Sequence, residues 1–234
     1  MISIITINFN NLNGLLETAE SIAALCGDFE WVVVDGVSTD GSDEFIRNCD
    51  LIDKYIIEKD QGIADAWNKG ISLASGPYFS LLNSGDRYES DAVQAITPYL
   101  SPDKIVCGRS RLFKAGVEKG VFHALPNKLD KGMYLPHHGA FLHKALFERV
   151  GPYKLLKYSM DYEWFLRARY LNVNFESADV CVGRYELGGL SDVSYKESFL
   201  TNRRIQIGYG ASWLSSTLYC ALAILKHWAK RRFL

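Results

Sequence analysis

Apolar and polar positions over the first hundred residues follow two alternating rhythms. Short β-branched and aromatic runs, Ile2–Phe9, Trp31–Val34, Tyr55–Ile57 and Tyr78–Leu82, alternate with stretches of helical spacing at Leu15–Leu25, Ser42–Cys49 and Ile63–Ala74. Gly14, Gly41 and Gly62 stand at or near the helix starts, and Gly76-Pro77 ends the third helix. This order predicts βα units feeding a mainly parallel sheet flanked by helices. Beyond Pro98 and Pro102 the pattern is less regular. Ile105–Arg111 and Val117–Ala124 read as strands, Leu125–Tyr134 as a loop, and His137–His143 as the lead into a helix over Lys144–Val150. Met160–Leu171 has helical spacing, and Val173–Phe175 and Cys181–Tyr185 read as two short strands. From Ile205 the chain turns helical again, apolar over 211–225 and basic after it.

In an open parallel sheet the ligand lies beyond the carboxyl ends of the strands, so the residues just after each strand carry the functional weight. Here they are Asn8 and Asn10, then Asp35, then Glu58 to Asp60, then Asn83 to Asp86. A loop needs polarity, but packing alone does not put amides and carboxylates at four successive strand ends. Asp35-Gly36-Val37-Ser38-Thr39-Asp40-Gly41-Ser42 joins a strand to a helix, and its small residues let a ligand approach the backbone. The same stretch also suits a tight turn in which Ser38 or Asp40 caps the helix. Asp60-Gln61-Gly62 leads into a helix whose Asp65, Asn68 and Lys69 share a face, where Lys69 could offset diphosphate charge or merely be solvated. Asn83-Ser84-Gly85-Asp86 is either a plain turn or the place where Asp86 holds a divalent ion through oxygen.

With 234 residues, 48% of them hydrophobic, the chain can bury one sizeable core. A net charge of -1 excludes nucleic acid as the main partner, which would need a clear basic excess. The 5 cysteines form no CxxC pair, so neither a disulfide frame nor a zinc site is expected. Met1 to Ile7 is strand-like and lacks the basic start and cleavage pattern of a secretory signal, which points to a cytoplasmic protein. The apolar part of the tail falls short of the roughly 20 residues that span a bilayer. With Trp213, Trp228 and the basic run around it, the tail suits a membrane surface, while packing on the catalytic domain or on a second copy in a homo-oligomer stays open.

Taken together, the segments resemble the family 2 glycosyltransferases, which have the fold called GT-A. The residues that carry the resemblance are Ile4-Ile5-Thr6-Ile7-Asn8-Phe9-Asn10, the Asp-Gly-x-Ser-Thr-Asp-Gly-Ser loop at 35–42, Asp60-Gln61-Gly62 to Asn68-Lys69-Gly70, and Leu82-Asn83-Ser84-Gly85-Asp86. It continues through His137-His138-Gly139-Ala140-Phe141, Leu146 to Tyr153 and Asp161-Tyr162-Glu163, and so covers about residues 1–195. The family's order and spacing, more than any single motif, make the match specific.

The resemblance implies an α/β GT-A, Rossmann-like domain over residues 1–200, with a nucleotide-binding half (1–100), an irregular acceptor half (101–200) and a helical tail (201–234). It implies transfer of a sugar, with inversion, from a nucleoside diphosphate donor, uridine favoured, to a saccharide or polyprenyl-linked acceptor in bacterial surface polysaccharide assembly. Donor contacts are expected at Thr6, Asn8, Asn10, Asp35, Ser38, Asp60, Gly62, Asp65, Asn68, Lys69, Asn83, Ser84, Gly85, Asp86 and His138. In the family the counterpart of Asp86 binds Mg²⁺ or Mn²⁺. The acidic cluster is thinner here, with Asn83 and Gly85 where carboxylates are common. The expected base, which takes the acceptor's proton, is Asp161, with Glu163 second. A non-catalytic sugar-nucleotide-binding scaffold is the alternative. A sugar nucleotidyltransferase, a methyltransferase and a dehydrogenase are disfavoured because Asn8-Phe9-Asn10-Asn11 is no glycine-rich loop after the first strand.

Overall fold

The computed structural model describes residues 1–114, 116–187 and 194–233, with side chains through residue 228. The first half alternates as expected: β1 (Ile2–Asn8), α1 (Leu12–Ala23), β2 (Phe29–Asp35), α2 (Ser42–Asn48), β3 (Lys54–Ile57), α3 (Ile63–Leu73) and β4 (Tyr78–Leu81). A two-residue strand β5 (Arg87–Tyr88) and a short α4 (Ala92–Ile96) follow, neither evident in the pattern. The second half holds β6 (Lys104–Lys114), β7 (Val117–Phe122), β8 (Ala140–His143), α5 (Lys144–Val150), α6 (Met160–Tyr170) and β9 (Asn174–Glu186). Helices α7 (Tyr195–Gly208) and α8 (Trp213–Phe233) close the chain.

The strands form one sheet in the order β3-β2-β1-β4-β8-β6-β9-β5, with β7 paired to the far part of β6. Strands β3, β2, β1 and β4 are mutually parallel, and β6 is parallel to β9. The insertion of β8, antiparallel to both β4 and β6, fuses the two halves into that single sheet.

Two expectations are corrected here. His137–His143 does not simply lead into a helix: a 3₁₀ turn over His137–Gly139 delivers the strand β8. Four residues are too few for strand periodicity to declare itself. The two short strands at 173–175 and 181–185 are one long strand, β9. The polar stretch between them is taken up by a bulge, since Cys107 pairs with Ser177 but Arg109 with Cys181.

Alternation along the central strands divides the core into two layers, as expected for a sheet buried on both faces. Ile2 and Ile4 of β1 and Trp31 and Val33 of β2 face α1 and α2, together with Leu15, Ile22 and Ile46. Ile5 and Val32 face the other way, onto Ala64, Trp67 and Ile71 of α3, and this layer continues into Tyr162, Trp164 and Phe165 of α6. Helix α3 lies close against the sheet because Gly70 carries no side chain: a β-carbon there would come within 2.4 Å of Ile5 Cγ2. Replacement Gly70→Ala should therefore overpack this contact and lower stability by about 1–3 kcal/mol despite alanine's better helix propensity. Denaturant midpoints of the two proteins would measure it, and an unchanged or higher midpoint would show that α3 can back away freely.

Candidate active site

The carboxyl ends of β1, β2, β3 and β4 gather most of the polar residues singled out above. Asp35 closes β2 and is fully buried. Its Oδ1 accepts from the Ser38 amide at 2.7 Å, and its Oδ2 accepts from Ser38 Oγ at 2.7 Å and Asn8 Nδ2 at 2.8 Å. Ser38 Oγ in turn accepts from the Asn10 amide at 2.8 Å, and Asn10 Oδ1 accepts from the Thr39 amide at 2.8 Å. Asp35 is thus the knot of this loop, with its oxygens turned inward. The tension it holds is visible at Val37, a β-branched residue at φ 68. Nearby, a β-carbon on Gly36 would come within 2.7 Å of Asp60 Oδ2 and 3.1 Å of Phe9 Cδ2. Glycine therefore keeps a gap beside Asp60 and the Phe9 ring, which is 64% exposed.

At the β3–α3 corner Lys69 Nζ pairs with Glu58 at 2.9 Å and Asp65 at 3.3 Å, and also donates to the Lys59 carbonyl. Burial lowers the Lys69 pKa, but the bonds to Glu58 and Asp65 outweigh it and leave the ammonium above its ordinary value. Asp65 accepts from the Gln61 amide, and Asp60 from the Gly62 amide, so each carboxylate also shapes this turn. Two of the expected contacts sit elsewhere. Thr6 is buried beneath the sheet, its hydroxyl accepting from Trp31 Nε1 at 2.9 Å, because strand alternation turns it toward α1. Asn68 joins α3 to the segment before α6, with both amide atoms on the backbone of Tyr153 at 2.9 Å.

The β4 exit turn is the centre of the site. Thr18 of α1 accepts from the Gly85 amide at 3.0 Å and donates to the Asp86 carbonyl at 2.8 Å. Asn11 donates to Ser84, and Asn83 accepts from Trp67 Nε1 at 3.0 Å while its amide meets His137 Nε2 at 3.1 Å. The carboxylate of Asp86, held by this turn, faces the two histidines delivered by the turn before β8. One ligand atom each from Asp86, His137 and His138 lies within 4.8 Å of the others.

Burial pushes the Asp86 carboxyl up to about 6, opposed by the charge of His137. Burial drives His138 the other way, down to about 3, which keeps the imidazole neutral. Both ring nitrogens of His138 are buried without a hydrogen-bond partner, while its ring stacks on Tyr185 at 5.7 Å. A neutral imidazole with an open nitrogen, beside a carboxylate and a second imidazole, is a donor set that fits a divalent cation.

Asp161 lies in the first turn of α6, where one oxygen accepts from the Tyr162 amide at 2.8 Å. Its neighbour is Tyr153, whose phenol is pushed up by burial and further by the Asp161 charge. Tyr153 packs 5.2 Å from Trp67, which lies 5.8 Å from His137, so an aromatic wall runs from Asp161 to the Asp86 group. Glu163, two residues further, is engaged: its carboxylate pairs with Lys154 at 2.6 Å and Arg167 at 3.2 Å and accepts from Tyr209 at 2.8 Å.

Sequence reasoning missed Thr18, Trp67 and Tyr153 and left His137 without a role. For Thr18 a signal existed, since it is a hydroxyl inside the buried stripe of Gly14, Leu15, Ala19 and Ile22 on α1. Trp67 and Tyr153 read as ordinary core.

The family model described as Glycosyl transferase family 2 matches residues 3–165. The chain belongs to this family. A PGL/p-HBAD biosynthesis glycosyltransferase of Mycobacterium bovis is 32% identical over 225 residues, spanning 86% of this glycosyltransferase and 82% of the relative. A putative teichuronic acid biosynthesis glycosyltransferase, TuaG of Bacillus subtilis, is 29% identical over 99 residues, 40% of this chain and 39% of its own. The transferase also shares its fold with S. aureus TarS 1-349, solved with UDP-GlcNAc, at TM-score 0.68 and 16% identity over 97% of this chain and 72% of that one. A mannosyltransferase of Pyrobaculum calidifontis, solved with GDP-Man and Mn²⁺, aligns at TM-score 0.70 and 17% identity over 95% and 70%. The GT-A fold follows from these likenesses.

The raised Asp86 pKa has a consequence for stability. A carboxyl raised from 3.8 to about 6 on folding contributes stability below its unfolded value that is lost as pH rises through about 6, so at pH 8 the buried charge is a net cost. With divalent cations chelated, Asp86→Asn should therefore be more stable than the parent at pH 8 by about 1–3 kcal/mol, and the gap should close toward pH 4. Urea unfolding at both pH values is the measurement. A variant less stable at pH 8 would mean that the carboxylate is already well compensated by its neighbours.

Proposed function

We propose that this glycosyltransferase moves a sugar, with inversion, from a nucleoside diphosphate donor to a saccharide acceptor carried on a lipid, in polysaccharide assembly. The observation that carries this reading is the juxtaposition of the Asp86, His137 and His138 group with Asp161 across the Trp67 and Tyr153 wall. In it Asp86, His137 and His138 hold the cation, whose charge offsets that of the leaving diphosphate. Two imidazoles and one carboxylate suit Mn²⁺ better than Mg²⁺, which prefers an all-oxygen shell.

The gap at Gly36 between Phe9 and Asp60 takes the nucleoside, with the loop knotted by Asp35, Ser38, Asn8 and Asn10 as its floor. Uridine is the favoured base, in keeping with the UDP-GlcNAc of the TarS structure, and the GDP-Man of the mannosyltransferase makes guanosine the rival. Asp161 accepts the proton of the acceptor hydroxyl as its oxygen attacks the anomeric carbon, while the bond from that carbon to the diphosphate breaks on the opposite face. Because Glu163 is already tied to Lys154, Arg167 and Tyr209, the base assignment rests on Asp161 alone.

Calorimetry with UDP and GDP, with and without Mn²⁺, tests the donor site. One diphosphate should bind in a metal-dependent way, and Asp86→Asn should abolish it, whereas metal-independent binding would remove Asp86 from its role. Asp161→Asn should keep donor binding and lose turnover by roughly 10²- to 10⁴-fold. Normal turnover in that variant would overturn the base.

The tail supports a peripheral seat on the cytoplasmic face of a membrane. Among the described residues no helix is long and apolar enough to cross one. Helix α8 nevertheless exposes Trp213, Leu214, Leu218, Leu222 and Leu225, a stripe at helical spacing, and basic residues follow it in the sequence. The full chain should float with vesicles containing anionic phosphatidylglycerol, and Leu218→Glu with Leu222→Glu should release it. A chain that stays off such vesicles and sediments as a dimer would assign the stripe to a second copy.

A further inference from the structure

Helices α7 and α8 and the 3₁₀ segment Pro126–Lys131 enclose a second cavity, of about 340 Å³, separate from the Asp86 group. Among the described residues Lys131, Arg203, Lys226 and His227 line it, and no aspartate or glutamate does. Among the described residues none of the two lysines and the arginine has a carboxylate partner within ion-pair distance. Arg203 is fixed in place, its Nε donating to Thr217 Oγ1 at 2.8 Å and its guanidinium 5.4 Å from the centre of the Trp213 ring, which leaves its Nη groups for a ligand. His227 Nε2 and Asn202 Oδ1, from two lining residues, are buried without a hydrogen-bond partner. Part of the remaining wall is apolar, supplied by Met133, Phe199 and Ala223.

Cations that line one cavity without a counter-charge repel one another, and a phosphate oxygen relieves that repulsion through charge-assisted hydrogen bonds. The apolar wall adds a second requirement, because a free inorganic anion gains nothing from it. The cavity also abuts the start of α6. Gln206 lines it and donates to Tyr162 Oη at 3.1 Å, and Tyr162 is the residue next to Asp161. We propose that this cavity binds the phosphate or diphosphate end of an amphiphilic acceptor, with Lys131, Arg203, Lys226 and His227 on the phosphate and Met133 and Phe199 against the chain. This rests on the reading of the acceptor as lipid-linked, and it names the acceptor's anchoring group.

The test is a binding measurement without turnover, made on the full chain in the Asp86→Asn background with divalent cations chelated, so that the donor site is silent. The probes are farnesyl diphosphate, farnesol and inorganic pyrophosphate. Farnesyl diphosphate should bind, pyrophosphate and farnesol should bind more weakly, and Lys131→Gln with Lys226→Gln should weaken farnesyl diphosphate by about tenfold or more. Both lysines are exposed, and an unchanged circular dichroism spectrum and unfolding midpoint check that the double variant is folded. Arg203→Lys, which keeps the charge but not the fork, should give a smaller loss. Farnesyl diphosphate binding that is unchanged in the double variant, or that disappears with Asp86→Asn alone, would overturn the site. Equal binding of farnesol would remove the phosphate from the proposal, and equal binding of pyrophosphate would remove the lipid. The donor-site reading is judged by metal-dependent nucleotide binding alone, so either can fail without the other.

Discussion

The antiparallel seating of β8 between β4 and β6 is the constraint on which the rest of the molecule depends. Phe79 of β4 pairs with Leu142, and Cys107 of β6 with Ala140, so four residues carry both halves of the sheet. The same register fixes the turn just before β8. The carbonyl of His138 accepts from Ser80 Oγ at 3.2 Å and from Tyr88 Oη at 2.8 Å, which locks its backbone against β4 and β5. Gly183 of β9 closes the far side, since a β-carbon there would come within 2.8 Å of His138 Cδ2. A histidine pinned on three sides cannot turn to find a partner for its ring nitrogens. The fold therefore maintains the unpartnered imidazole next to Asp86, at a free-energy cost that a bound cation would offset.

That arrangement explains why the site's charges are set so far from their ordinary values. Burial opposes the ionisation of Asp86 that a cation would require, while the charge of His137 favours it. The shifts of Asp86 upward and of His138 downward are two consequences of one act of burial. Thr18 completes the logic from the opposite layer of the core. Its hydroxyl bonds two successive backbone groups of the β4 exit turn, so the carboxylate's position is set by α1 and the imidazoles' position by β8, and neither depends on the other's side chain.

The architecture of the first half was legible because it is local. Strands buried on both faces read as continuous apolar runs, their exits read as polar clusters, and βα connectivity left little freedom in how they assemble. Legibility stopped where structure became non-local. Nothing in Ala140–His143 announces a strand, since its strand character comes wholly from partners sixty residues before and thirty-odd residues before it. The polar residues at the strand ends were legible as a set, but the partner each one takes was not. Asp35 and Asn8, expected as donor contacts, also bind one another. Lys69 faces Glu58 and Asp65, and Asn68 faces a backbone. A sequence reports which residues are polar near a strand end, whereas the direction in which each points is decided by competition among neighbours for the same hydrogen bonds.

The C-terminal helices show the same competition resolved on a larger scale. Helix α8 is apolar on most sides, and only part of it finds cover: Tyr219 bonds Tyr134 at 2.6 Å and Cys220 reaches the Phe199 carbonyl of α7, while the leucine stripe stays outside. Helix α7 is in turn tied to α6, through Tyr209 on Glu163 and Gln206 on Tyr162. The helix that offers an apolar face to the exterior is thus linked, in two steps of direct hydrogen bonding and packing, to the helix whose first turn carries Asp161. A seat for α8 on a lipid surface would fix the orientation of Asp161 relative to that surface without any further contact. Glu163 is the joint of this linkage: a buried carboxylate held by Lys154, Arg167 and Tyr209 forms a connected polar network that ties α6 to the residue after α7.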